Sequence, residues 1–180
     1  TLCGSCLNEA PKFDPSKSAT FVDGGRTSSI TFGTGVGVDP VVGANYRLTL
    51  RSGTDTVTVG GLESSNVPLF LITDQTPAFN IDPFSGIQGM GARASGFFAN
   101  LISRGLPSLF GMFLALIEIG NAELTIGGID KSKFSGPLLF ASLPSGVNGR
   151  TTSGLRASRN LIFDSGTSNM VFDTATTEVG

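Results

Sequence analysis

Asp164-Ser165-Gly166-Thr167-Ser168 is the stretch of this chain best fitted to chemistry. A hydrophobic run, Leu161-Ile162-Phe163, leads into it and another, Met170-Val171-Phe172, leads out. The two runs read as strands, and the residues between them as a turn that carries a carboxylate. Gly166 turns the backbone beneath Asp164, while Ser165 and Thr167 place hydroxyls beside it. A buried carboxylate must be hydrogen-bonded or it neutralises, so hydroxyls at this spacing can hold a charge ready for proton transfer. Taken by itself the pentapeptide reads first as a plain structural turn; the rest of the chain decides.

Composition narrows the chemistry. The 180 residues contain no His and two Cys, so a serine or cysteine hydrolase built on a histidine base cannot be assembled from them. Cys3 and Cys6 would supply at most two of the four ligands of a zinc site, and neither a metal nor a cofactor is expected. Hydrolytic proton transfer would have to come from carboxylates. Net charge is -2, and only 14% of residues are charged, which suits work at low pH because few groups repel one another there. Lys and Arg are scattered without a basic run, so no nucleic-acid footprint is present, and no apolar run reaches membrane-spanning length. Abundant Gly, Phe, Ser, Thr and Val favour a β-rich fold with many turns. Thr1 is not an initiator Met, and Asp173 looks like the N-cap of a helix just before Gly180, so the chain reads as an excerpt of something longer.

The elements that would position Asp164 follow from pattern. Cys3-x-x-Cys6 sits in a loop; without a strand before it and a helix after it, a local disulfide is preferred over a redox dithiol. Asp14-Pro15 opens a turn in which Asp14 is a capping carboxylate. Residues 28–37 form a β-hairpin with Gly33-Thr34-Gly35 at its tip. Tyr46–Leu50 and Thr54–Val59 are expected to pair through a turn at Ser52-Gly53, leaving Asp55 as an ordinary strand-edge residue. Val67–Asp74 is a further strand, and 81–91 an apolar, Gly-spaced crossing. A helix is expected over 95–104, with Phe97, Phe98, Leu101 and Ile102 on one face and Gly105 as its stop. Leu109–Ile119 and Ala122–Ile126 read as paired strands.

In order and spacing these segments resemble the pepsin-like aspartic endopeptidases. Phe13 to Phe21 is similar to the stretch after that family's small disulfide loop, here Cys3 to Cys6, and Ile30-Thr31-Phe32-Gly33-Thr34-Gly35 to its flap hairpin. Asp55 to Gly61 resembles the strand after the flap, and Phe84 to Met90 the crossing of the first lobe. Thr125 to Asp130 resembles the link toward the second lobe, and Asp164 to Ser168 the second catalytic loop. The resemblance implies a bilobal all-β acid protease fold, incomplete here. Residues 1–137 would belong to the first lobe, with the flap at about 28–37, and 138–180 would begin the second.

It also implies a mechanism in which each lobe supplies one Asp. Asp164 would be the second-lobe catalytic residue, Ser165 would reach the opposite loop, Gly166 would let its N–H approach, and Thr167 would bond the outer oxygen of Asp164. Phe32, Gly33 and Thr34 would close over an extended polypeptide substrate. No cofactor, nucleic acid or membrane is implied; the complete enzyme would be a monomer, secreted or held in an acidic vacuolar or lysosomal-type compartment. Several positions depart from the family pattern. No Asp-Thr-Gly precedes Cys3, Phe32 replaces the flap Tyr, Ser85 replaces an Asp, and Gln88 replaces an aliphatic residue. The chain is expected to be inactive on its own. A pepsin-fold protein that binds or inhibits without cleaving is the alternative reading.

Overall fold

The computed structural model describes residues 3–7, 11–33, 41–81, 85–91, 95–116, 118–140, 150–151 and 159–160. The expected strands 161–163 and 170–172, and the helix start at Asp173, lie outside the described residues. The chain divides into two compact units, Thr1–Ser108 and Leu109–Gly180.

The first unit is built on a three-stranded antiparallel sheet in the order β1 (Val22–Thr31), β2 (Arg47–Val59), β3 (Leu62–Gln75). β2 and β3 are joined by Gly60-Gly61, with φ of +57° and +80° between the paired Val59 and Leu62. Two consecutive left-handed residues give the two-residue hairpin whose twist matches its strands, and only glycine adopts that conformation freely.

β2 runs unbroken for 13 residues, so the expected turn at Ser52-Gly53 does not exist. Gly53 is there for closeness: a Cβ on it would lie 2.5 Å from the Phe21 ring and 3.1 Å from the Val22 carbonyl oxygen. The strand also changes the face it buries. Leu48 and Leu50 are buried in its first half, Gly53 and Asp55 in its second. The switch falls where β1 bulges. Asp23 pairs Gly53 but Thr27 pairs Arg51, which sets Gly24, Gly25 and Arg26 against the single residue Ser52, with Gly25 at φ +73°. A bulge bends its strand and sharpens the local twist, which carries the sheet round its core. Arg51 clamps the bulge from β2 through two bonds to the Asp23 carboxylate, at 2.8 and 2.6 Å.

Asp55 is consequently not an edge residue. It is 4% exposed and accepts hydrogen bonds from Ser18 Oγ (2.9 Å), Thr20 Oγ1 (2.5 Å) and its neighbour's Thr56 N–H (2.8 Å). Burial works against the charged form, but the bonds from Thr20, Ser18 and Thr56 outweigh it and hold the carboxyl below the ordinary aspartate value of 3.8. Asp14 does cap as expected: its Oδ1 accepts from Ser16 N–H (3.1 Å) at the start of a short 3-10 turn, Pro15–Lys17.

α1 (Phe97–Ser103) buries Phe97, Phe98 and Leu101 on the expected stripe. Ser64 Oγ on β3 donates to Asn100 Oδ1 (2.5 Å), and Asn100 Nδ2 donates to Ser65 O (3.3 Å), so the helix is fixed to the sheet by a side chain as well as by packing. Gly105, at φ +100°, ends it: Gly105 N–H donates to Ile102 O and Leu106 N–H to Leu101 O, the paired bonds of a Schellman cap.

In the second unit β4 (Phe110–Phe113) pairs with β5 (Glu123–Ile126). The expected pairing is present but shorter than 109–119 with 122–126. Asn121 at φ +61° and Gly127 at φ +74° bound β5, so only four of its residues can offer a ladder. Glu123 anchors the turn after β5 through Lys133 Nζ at 3.1 Å, and Asp130 caps the 3-10 turn Lys131–Lys133 by accepting from Ser132 N–H (2.8 Å). A two-residue ladder pairs β6 (Arg150–Thr151) with β7 (Arg159–Asn160).

Two outcomes are expected. Gly53→Ala forces Phe21 aside and costs about 1–3 kcal/mol, read as a lower urea midpoint at unchanged slope. Asp55→Asn removes a stabilisation tied to a folded pKa below the unfolded one. Its stability deficit should therefore be full above pH 3.8, shrink below it, and vanish once pH falls beneath the folded pKa; urea titrations of both proteins across that range measure this.

Candidate active site

Asp164, Ser165, Gly166 and Thr167 lie outside the described residues, and so does Thr34. Phe32 and Gly33 are described and stand where β1 ends. The last paired residue of β1 is Thr31, opposite Arg47, and Phe32 N–H donates to Tyr46 O (2.9 Å) one step further on. That bond makes 32 and 46 the base of a long hairpin connection: residues 28–31 pair with 47–50, not within 28–37 as expected, and Gly33 stands just past the base.

Phe32 lacks the hydroxyl that a Tyr would bring, and aromatic packing fixes it. Its ring meets Phe79 edge to face with centroids 5.6 Å apart, and Phe79 meets Tyr46 in the same manner at 5.3 Å. The electropositive edge of one ring on the electronegative face of the next orients each ring. Tyr46 is 1% exposed, so the ladder is rooted in the core. Phe79 belongs to a 3-10 turn, Pro77–Ile81, that β3 delivers directly beneath the hairpin.

Beside this ladder lies an open groove of about 520 Å³. Ile30, Phe32, Leu48, Leu50, Leu71 and Phe79 supply its apolar lining, with Gln88 and the Cys3–Cys6 pair among its polar and sulfur-bearing walls. Its size is that of a site for a side chain or a small ligand, with a few polar groups to orient it. Cys3 and Cys6 are joined in a disulfide, as expected. Between them Ser5 Oγ donates to Asp74 Oδ1 (2.6 Å) and accepts from Gln75 N–H (2.9 Å), which docks the little loop onto the end of β3. Ser85, at a position that departs from the family pattern, donates to Pro11 O (2.5 Å) and ties the crossing to the segment before Phe13. Gln88 Nε2 donates to Gly89 O (2.8 Å). Among the described residues no three His, Cys, Asp or Glu side chains gather as a metal site would require.

The sequence profile of eukaryotic aspartyl proteases matches residues 3–179, a span that runs from the disulfide loop through Asp164-Ser165-Gly166. The chain belongs to the eukaryotic aspartyl protease family. Among its relatives from Rhizopus niveus, Rhizopuspepsin-4 is 34% identical over 98% of this chain and 44% of its own length. Rhizopuspepsin-1 is 33% identical over 93% and 45%, and Rhizopuspepsin-2 is 32% identical over 95% and 46%. The chain thus spans a little under half the length of these aspartyl proteases. Its strand-dominated structure agrees with the all-β pepsin-like fold. Among the described residues no helix is long and apolar enough to cross a membrane.

Three contributors to the site region escape a reading by pattern: Ser5, Thr76 and Phe79. Each acts through contacts distant in sequence, and only Thr76-Pro77, a strand-ending dipeptide, carries a local signal. Phe79→Leu keeps an apolar side chain but removes both ring pairs, and should cost about 1–3 kcal/mol in stability by urea unfolding.

Proposed function

We propose that this chain contributes one half of the catalytic apparatus of an aspartic endopeptidase acting at acid pH. The observation that carries the reading is the family match across residues 3–179, which takes in both the Phe32-Gly33 hairpin and Asp164-Ser165-Gly166. Residues 1–137 are assigned to the first lobe and 138–180 to the beginning of the second.

In this reading Asp164 is one of two carboxylates set about 3 Å apart at the base of a cleft. Two such groups cannot both ionise easily, so they share one proton and titrate as a pair. The ionised carboxylate takes a proton from a bound water as the water's oxygen attacks the scissile carbonyl carbon. The protonated one hydrogen-bonds the carbonyl oxygen and stabilises the charge that builds there. The tetrahedral species then collapses as the amide nitrogen is protonated and leaves, and no covalent bond to the enzyme forms. Gly166 lets its N–H approach the pair, Thr167 bonds the outer oxygen of Asp164, and Ser165 ties its loop to the opposite one. Phe32, Gly33 and Thr34 cover an extended polypeptide, with backbone amides at the hairpin tip binding its backbone.

Asp164 is the only Asp of these 180 residues followed by Ser-Gly or Thr-Gly, so its partner carboxylate comes from outside them and the chain by itself does not cleave. The Cys3–Cys6 disulfide suits an oxidising, secretory or acidic-vacuolar setting. The full-length protein should digest denatured haemoglobin at acid pH in a pepstatin-sensitive manner, whereas the 180-residue chain should not, and Asp164→Asn should abolish the full-length activity. Full activity in Asp164→Asn would sink the dyad. Peptide binding without any cleavage by the wild-type protein would favour a non-catalytic binder, a reading supported by the missing hydroxyl at Phe32.

A further inference from the structure

One hydroxyl closes the base of the hairpin. β3 ends at Gln75 because Pro77 follows two residues later, has no N–H to donate, and turns the chain away. In a continuing antiparallel ladder, Thr76 and Arg47 would exchange both backbone bonds. Half of that exchange forms: Thr76 N–H donates to Arg47 O at 3.0 Å. The other half is made by the side chain. Arg47 N–H donates to Thr76 Oγ1 at 3.0 Å, and Oγ1 passes its own proton to Asn45 O. Arg47 O lies a further 3.3 Å from the same oxygen.

Thr76 Oγ1 therefore accepts from residue 47 and donates to residue 45, pinning the hairpin's return limb on both sides of Tyr46. Tyr46 O in turn accepts the N–H of Phe32. Three residues beyond Thr76, Phe79 N–H donates to Thr76 O (3.2 Å) and sets the ring that packs on both Phe32 and Tyr46. The hydroxyl and the aromatic ladder hold the same base from two sides.

We propose that Thr76 is a positioning residue for peptide recognition: its hydroxyl sets the attitude of the hairpin base, and so of Phe32 and Gly33 against a bound peptide. This rests on the reading of the hairpin as the cover of a peptide cleft. Thr76 does not touch the peptide or the reacting atoms; it acts through Asn45, Arg47 and Phe32. Ser in its place keeps the relay, and Val keeps the shape but neither bond.

The test compares wild type, Thr76→Val and Thr76→Ser in the full-length protein. Amide hydrogen exchange at Phe32 and Arg47 should quicken about tenfold or more in Thr76→Val, with the β2–β3 ladder from Arg51 to Asp55 unaltered, and stay near wild type in Thr76→Ser. Peptide affinity, read as pepstatin Kd and as substrate KM, should weaken severalfold in Thr76→Val with kcat nearly unchanged, and recover in Thr76→Ser. Unaltered exchange in Thr76→Val, equal quickening throughout the sheet, or unaltered peptide affinity would each overturn the proposal. Should the wild type bind peptides but never cleave them, the protease reading fails while the Kd series still decides the role of Thr76. A wild type that binds no peptide at all overturns both.

Discussion

The register of β2 between its two neighbours is the constraint on which the first unit depends. Its residues Leu48–Arg51, Gly53 and Thr54 answer to both β1 and β3, so one slip would send their side chains to the wrong face. The pairings Ile30–Leu48 and Leu48–Gln75 set the core end, and Val22–Thr54 with Thr54–Pro68 set the other. Between them the bulge at Gly24–Arg26 takes up the change of face, locked by the Arg51–Asp23 clamp. Both partners of that clamp are partly exposed, so its role is geometric more than energetic. With the register in place, Gly53 meets Phe21, Asp55 meets the Ser18–Thr20 segment, and Arg47 meets Thr76.

Buried polar groups in this unit are satisfied by short hydroxyl side chains. Asp55 draws on Ser18 and Thr20, Ser64 reaches Asn100, and Ser5 takes the N–H of the buried Gln75. Asp55 needs no cation to remain charged, because hydroxyl and amide donors hold it. A protein poor in Lys and Arg can thus hold its loops to its sheet without dense ion pairing, and neutral donors keep Asp55 ionised at a lower pH than an exposed Asp.

The hairpin base shows how one substitution is accommodated. A Phe at position 32 forgoes a hydroxyl bond, yet its ring gains a fixed place on Phe79, and Phe79 on the buried Tyr46. Orientation by ring quadrupoles replaces orientation by a hydrogen bond. The apolar groove alongside is lined by the Phe32 and Phe79 rings and by Leu48, Leu50 and Leu71, so hairpin posture and groove shape are coupled.

Local signals in the sequence were enough for what depends on neighbours along the chain. The Asp14 cap, the Gly105 stop, the buried stripe Phe97, Phe98 and Leu101, and the Cys3–Cys6 bridge all obey rules spanning a few residues. The order of motifs around Asp164-Ser165-Gly166 was likewise enough for the family, because family membership is itself a property of sequence. Tertiary structure alone decided the remainder. Ser52-Gly53 has turn composition, yet it lies inside β2, because the need for Phe21 to approach that backbone is invisible along the chain. Asp55 obeys strand alternation on paper, but a bulge in a different strand changes which face is buried and encloses it. Thr76 and Phe79 owe their place under the hairpin to contacts about thirty or more residues away. Periodicity reports which residues share a face; it does not report where a neighbouring strand bends, and that bend sets the core and the base of the candidate site.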